Sequence, residues 1–177
     1  CALTTGFSGG GSFSDGKLSI NMDGEIGGDL AQIISLEKFR ETLLYVDELY
    51  VGFGADKKVY GNGNTKEIAL IRRQAAQAHL KLIDSRVRHM GTEKAYDIYS
   101  RIQQELEHLG IVMMFDTTVK DLVIEKPAAG EKKATGVVLA DQSVISADHV
   151  IMAVGREGSE WLNTICQKYG ILSKPGP

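Results

Sequence analysis

The stretch "TTVKDLVIEKPAAGEKKATGVVLADQSVISADHVIMAVG", residues 117–155, decides the fold. Short runs of β-branched and aliphatic residues alternate there with polar, turn-forming residues, a pattern of strands rather than helix. It predicts strands over residues 120–126 and 134–141, joined by the polar loop "PAAGEK", and a third over 142–147 across a tight Asp141–Gln142 turn. The run from Asp148 to Gly155 reads as a further strand, buried on both faces. Upstream, "IVMMFDTTV" at 111–119 reads as a short buried strand. A helix from about Ser159 to Tyr169 closes the segment, with Trp161 and Tyr169 as core anchors.

Working outward toward the N-terminus, apolar residues at Ala95, Ile98, Tyr99, Ile102, Leu106 and Leu109 predict an amphipathic helix. Thr92 would cap it, and Gly110 supplies its left-handed stop. Residues 80–89 alternate enough to predict a strand. Thr65 is read as the cap of a helix through His79, with Ile68, Ile71, Ala75 and Ala78 facing inward. Leu30, Ile33, Ile34, Phe39, Leu43, Leu44 and Val46 predict another helix, stopped at Gly52 and Gly54. The chain opens with "GFSGGGSFSDGKLSIN", residues 6–21, a Gly/Ser loop that leads into a strand.

The 177 residues, 43% apolar and 24% charged, suffice for a real core. The net charge of −3, with acids and bases interspersed, leaves no electrostatic footprint for nucleic acid. No apolar run is long enough to span a membrane, and no signal peptide is legible. The two cysteines, Cys1 and Cys166, have no near partner, which argues against a metal site and for free thiols in a reducing, cytoplasmic setting. A start at Cys1 rather than Met reads as an excised piece.

The helix ending in Leu-Gly, the strand with "TTV", the hairpin headed by Gly136 and the closing "ADHVIMAVG" resemble the second half of a two-dinucleotide-type flavoprotein domain. Together with "GFSGGGSFSDGKL", "RVRHMGTE" and "AVGREGSEWL", they resemble the bacterial family of uncharacterised FAD-dependent dehydrogenases, related to NAD(FAD)-utilising dehydrogenases. Ser8, Gly10 and Ser12 replace small residues usual in that loop. The resemblance implies an α/β fold, α+β for the piece by itself: part of a two-dinucleotide-type FAD-binding domain with a β-meander and an inserted helical segment. It divides the chain into a flavin-site loop and strand (1–22), an inserted segment on the substrate side (23–105), and the meander with its terminal strand and helix (106–177). The strand–GxGxxG–helix fingerprint expected of the family is not in this sequence, so the piece alone is expected to be inactive and to lack tight FAD binding.

The resemblance implies FAD as cofactor, with NADH or NADPH a candidate donor, and hydride transfer to or from an unidentified small molecule. In the opening loop, Gly10, Gly11, Ser14, Asp15 and Gly16 would bring backbone amides to the flavin ring or pyrophosphate, and Lys17 would hold positive charge there. A flexible tail with a surface lysine is the plain alternative. Val119 fits the position whose main chain pairs with the adenine edge. Ala153 and Gly155 have little side chain, so backbone can pack against the cofactor. Arg156 would reach a flavin phosphate or pair with Glu157 or Glu160. In "RVRHMGTE", His89 is the candidate proton donor or acceptor and Arg88 the anchor of an anionic substrate, with Arg86 on Arg88's face. The other reading of these residues is a solvated strand end. For the whole chain, the competing function is a non-enzymatic binding or self-assembly module, in the form of a homodimer.

Overall fold

The computed structural model describes residues 6–9, 16–21, 30–126 and 131–173. It is a mixed helix-and-strand chain of the α/β kind, in two compact units, Cys1–Ile111 and Val112–Pro177.

In the first unit, strands β1 (Lys17–Ser19) and β2 (Val87–His89) pair antiparallel. Tyr60 adds a single bridge to Val87, each N–H donating to the other's carbonyl. The described helices of this unit are α1 (Leu30–Ile33), α2 (Leu36–Gly52), α3 (Thr65–Gln77) and α4 (Thr92–His108). The single helix expected from Leu30 is divided because the Ser35 side chain accepts from the Lys38 N–H at 3.2 Å and starts a new helix there. Asn64, not Thr65, caps α3, and the helix stops at Gln77. The α4 cap is Gly91 rather than Thr92, which is the first helical residue. Gly110 does take the left-handed turn expected of it.

The core of this unit is Ala55, Met90 and Ile98, enclosed by Leu18, Tyr50, Phe53, Tyr99 and Ile102. Ala95 and Ile98 are the buried face of α4, as the 3.6-residue spacing requires, whereas Leu109 ends exposed. No residue of α3 is buried, so the inward face expected for Ile71 and Ala78 does not form among the described residues. The strand expected over residues 80–89 is confined to its last three, because only there does β1 lie alongside.

The second unit is the meander: β3 (Val119–Glu125), β4 (Lys133–Leu139) and β5 (Val144–Ser146), in that spatial order, all antiparallel. The tight turn forms at Asp141–Gln142, with the Asp141 carboxylate accepting from the Ser143 N–H at 2.9 Å and its hydroxyl at 2.6 Å. Two expected strands are absent. Residues 111–118 and 148–155 form no ladder, and Val112 and Ile151 stand 84% and 89% exposed. A strand exists only where its N–H and C=O groups find a neighbouring strand, and apolar content does not supply one.

Helix α5 (Ser159–Tyr169) lies against the meander through polar contacts of its aromatic residues. Trp161 donates to the Lys120 carbonyl at 3.0 Å. Tyr169 donates to the Asp121 carboxylate at 2.9 Å and to the Leu122 carbonyl at 3.1 Å. Lys168 pairs with the same carboxylate and, with the Leu122 N–H and Tyr169, holds it below the usual aspartate range. A depressed carboxylate stabilises the fold above its unfolded-state pKa, near about 4, and ceases to as the pH falls through its lower folded value. We therefore expect Asp121→Asn to be less stable than the parent in thermal melts at pH 7. The gap should narrow as both proteins are titrated down through the carboxyl's depressed folded pKa, where the parent becomes protonated as well.

Candidate functional site

Strand β1 is held to β2 by bonds from the Ile20 N–H to the Arg86 carbonyl and from the Met90 N–H to the Gly16 carbonyl, both 2.7 Å. These fix the register in which Lys17 faces His89 and Leu18 faces Arg88. Lys17 and His89 thus occupy a non-hydrogen-bonded pair, the position where side chains across an antiparallel ladder come closest, about 4.5–5.5 Å between Cβ atoms. Both are exposed. Two residues that the sequence offers from distant motifs share one small outward face.

The opposite face of the ladder turns inward. Leu18 is half-buried against the core, and Arg88 is only 5% exposed. The Arg88 guanidinium meets both oxygens of Asp47 on α2 at 2.6 Å and also donates to the Asp56 carbonyl. Asp47 raises the arginine's pKa further above its ordinary value, against the opposing effect of burial. Arg88, read from the sequence as a substrate anchor, therefore has its donors directed at this chain's own groups. Arg86 does not accompany it: it is exposed and lines a separate cleft. Beside the pair, Tyr50 and Tyr99 share a hydrogen bond of 2.9 Å and an edge-on ring contact with centroids 5.9 Å apart. Burial first, and then the Tyr99 hydroxyl, pushes the Tyr50 phenol well above its ordinary pKa.

At the end of the ladder Gly16 is buried with φ +58°, and a Cβ placed on it would come within 3.1–3.2 Å of the Gly91 backbone. Two backbones touch there without side chains between them, next to Lys17 and His89. Gly10, Gly11, Ser14 and Asp15 lie outside the described residues.

The remaining sequence candidates belong to the second unit. The Ala140 N–H donates to the Thr118 carbonyl, and the Leu139 N–H donates away from β3 to Ser143, both at 2.9 Å. Val119, opposite Leu139, is thus in a non-hydrogen-bonded pair, and its own N–H and C=O point out from the edge of the sheet. Ala153, Gly155 and Arg156 are exposed, in a segment without strand structure. Val119 thus presents an amide donor and acceptor at an open sheet edge. Among the described residues no cluster of side chains has the makings of a metal site, and no helix is long and apolar enough to cross a membrane.

Sequence reasoning missed Asp47. It is one of several acids on α2, and nothing in one dimension marks it as the partner of Arg88. The only signal was that Arg88 alternates with His89, so one of the two had to face the core.

A family model described as "Pyridine nucleotide-disulphide oxidoreductase" matches residues 22–171. No curated protein matches the chain.

Removing one partner of a buried ion pair leaves the other charge uncompensated, at a cost of about 3–5 kcal/mol. Asp47→Asn should lower the urea unfolding free energy of the first unit on this scale. Asp47→Leu combined with Arg88→Met should recover much of it; equal losses in single and double variants would contradict the pairing.

Proposed function

The chain belongs to the pyridine nucleotide-disulphide oxidoreductase family, and on that premise we propose that it forms part of an FAD-dependent oxidoreductase whose reacting side includes Lys17 and His89. The observation that carries this reading is their cross-strand pairing, which puts Lys17 and His89 on one exposed face of the ladder, at the end where the backbones of Gly16 and Gly91 meet. Bound FAD supplies hydride chemistry, with NADH, NADPH or an organic substrate as the donor. His89 gives or takes the proton that accompanies hydride transfer, at its imidazole. Lys17 holds positive charge where negative charge develops. The backbone of Gly16 leaves room for close approach; in the second unit, taken by itself, the outward N–H and C=O of Val119 suit an adenine edge. Arg156 of that unit is a candidate for contact with a phosphate group, and Gly10, Gly11, Ser14 and Asp15, which lie outside the described residues, are candidates for amide contacts to the cofactor. Arg88 acts as a positioning residue, because its bond to Asp47 keeps His89 on the outer face.

The family's disulphide chemistry is not part of this proposal. Cys1 and Cys166 are the two cysteines of the sequence, and Cys166 is buried on α5. The 177 residues also contain no GxGxxG cradle for the pyrophosphate, so the chain by itself holds FAD weakly.

The test is flavin absorbance and stopped-flow reduction. After desalting with FAD, the chain should show no flavin band, while the longest product of its gene retains one. In that product, His89→Gln should slow flavin reduction by about 100-fold at unchanged flavin content. A colourless longer product, or a His89→Gln variant reduced at the parent rate, would remove the proposal.

Self-association is the second reading, favoured by Val112, Met114, Phe115 and Ile151 standing exposed in the second unit. Light scattering on a sizing column should then give twice the chain mass, reverting to one on Val112→Lys.

A further inference from the structure

Between Tyr60 and Val87 the chain of the first unit leaves the body of the fold and returns to the same point. The Tyr60 N–H donates to the Val87 carbonyl at 2.8 Å, and the Val87 N–H donates back to the Tyr60 carbonyl at 3.0 Å. One residue further out, Gly61 takes φ +79°, and a Cβ on it would lie 2.0 Å from the Ser85 carbonyl oxygen. The outgoing and returning backbones thus touch at a narrow stem. The Arg86 carbonyl is kept with β1 by the Ile20 N–H. Residues 62–85, α3 included, are an excursion from that stem.

The excursion is bonded within itself. Among the described residues, the side chains of α3 bond only to Asn64 and Asp84, both of the same segment. His79, with φ +57°, turns the chain back, and the Leu80 N–H returns to the Ala75 carbonyl at 2.8 Å. Arg72 on α3 meets Asp84 on the returning segment, a pair with both side chains half-exposed. No residue of α3 is buried, and none belongs to the group packed around Ala55, Met90 and Ile98. That core and the Arg88–Asp47 pair are supplied by β1, β2, α2, α4 and the residues that adjoin them. A cleft of about 450 Å³ is lined by residues of the excursion and its stem together with Asn21 and Arg40 of the body. A segment with a narrow stem, internal bonds and no share in the core sits at the low end of the range of local opening free energies.

We propose that residues 62–85 are a lid that opens from the Tyr60–Val87 stem as one cooperative unit while the body stays folded, and that the cleft is the space beneath it. Opening costs no contact of the core cluster and leaves the β1–β2 register intact, so the lid is independent of flavin chemistry. Once detached, α3 is a helix of 13 residues, a length that is marginal in water by itself, so its amides exchange with solvent during opening.

Amide hydrogen exchange on the whole chain tests this. The amides of Ala69–Gln77 should exchange at a common rate, at least about 100-fold faster than those of Ala95–Ile102 on α4. Urea below the unfolding transition should accelerate the α4 amides more steeply than those of α3, because global unfolding exposes more surface. A second variant joins Gly61 directly to Arg86. The Tyr60–Val87 pair is then closed by a two-residue turn that begins with Gly, a sequence suited to a hairpin. This excised chain should keep the α4 amides protected to within about tenfold of the parent. The proposal is overturned if α3 and α4 exchange in step with the same urea dependence, or if excision of the lid abolishes protection in α4.

Discussion

The first unit depends on the bidentate contact between Arg88 and Asp47. A guanidinium nine-tenths removed from water is tolerated only when its donors are taken, and here Asp47 takes two directions of the fork and the Asp56 carbonyl a third. The contact ties β2 to the middle of α2 and to the loop that follows it. Because side chains alternate along a strand, an inward Arg88 obliges His89 to face outward. The register with β1 then brings Lys17 alongside. A buried ion pair thus sets the composition of an exposed face, and Tyr50 and Tyr99 reinforce the same α2–α4 region.

The second unit is organised around another carboxylate. Asp121 receives Lys168, Tyr169 and the Leu122 N–H, so the last turn of α5 is fastened to the first residues of β3. Trp161 fastens the first turn of the helix to the Lys120 carbonyl. With α5 held there, β3 keeps an edge on which the Val119 backbone groups point outward. The apolar residues of 111–118 and 148–155 lie outside the ladder, and Val112, Met114, Phe115 and Ile151 stand exposed there.

Much of this was legible in one dimension. The Asp141–Gln142 turn declares the β4–β5 hairpin because Asp141 caps its own turn locally, without help from distant residues. The stripe of Ala95, Ile98, Tyr99 and Ile102 declares α4 for a similar reason, since helix periodicity is local. The caps were less legible: Ser35 and Asn64 start α2 and α3 through contacts three residues away, yet they compete with equally suitable neighbours such as Thr65. Among the site residues, His89 and Lys17 were picked out by motif, but the motif contained no hint that they meet.

The sequence by itself determined the elements whose hydrogen bonds close locally: the helices, the tight hairpin turn, and the glycines that only a left-handed turn or close approach requires. Tertiary structure alone decided which way Arg88 and His89 face, that Lys17 stands opposite His89, that Arg86 joins Arg40 and Arg72 around a cleft, and that two apolar runs do not become strands. The physical reason is common to all four. Strand pairing and the neutralisation of a buried charge depend on groups far apart in the chain, and no local pattern encodes which distant partner will be there.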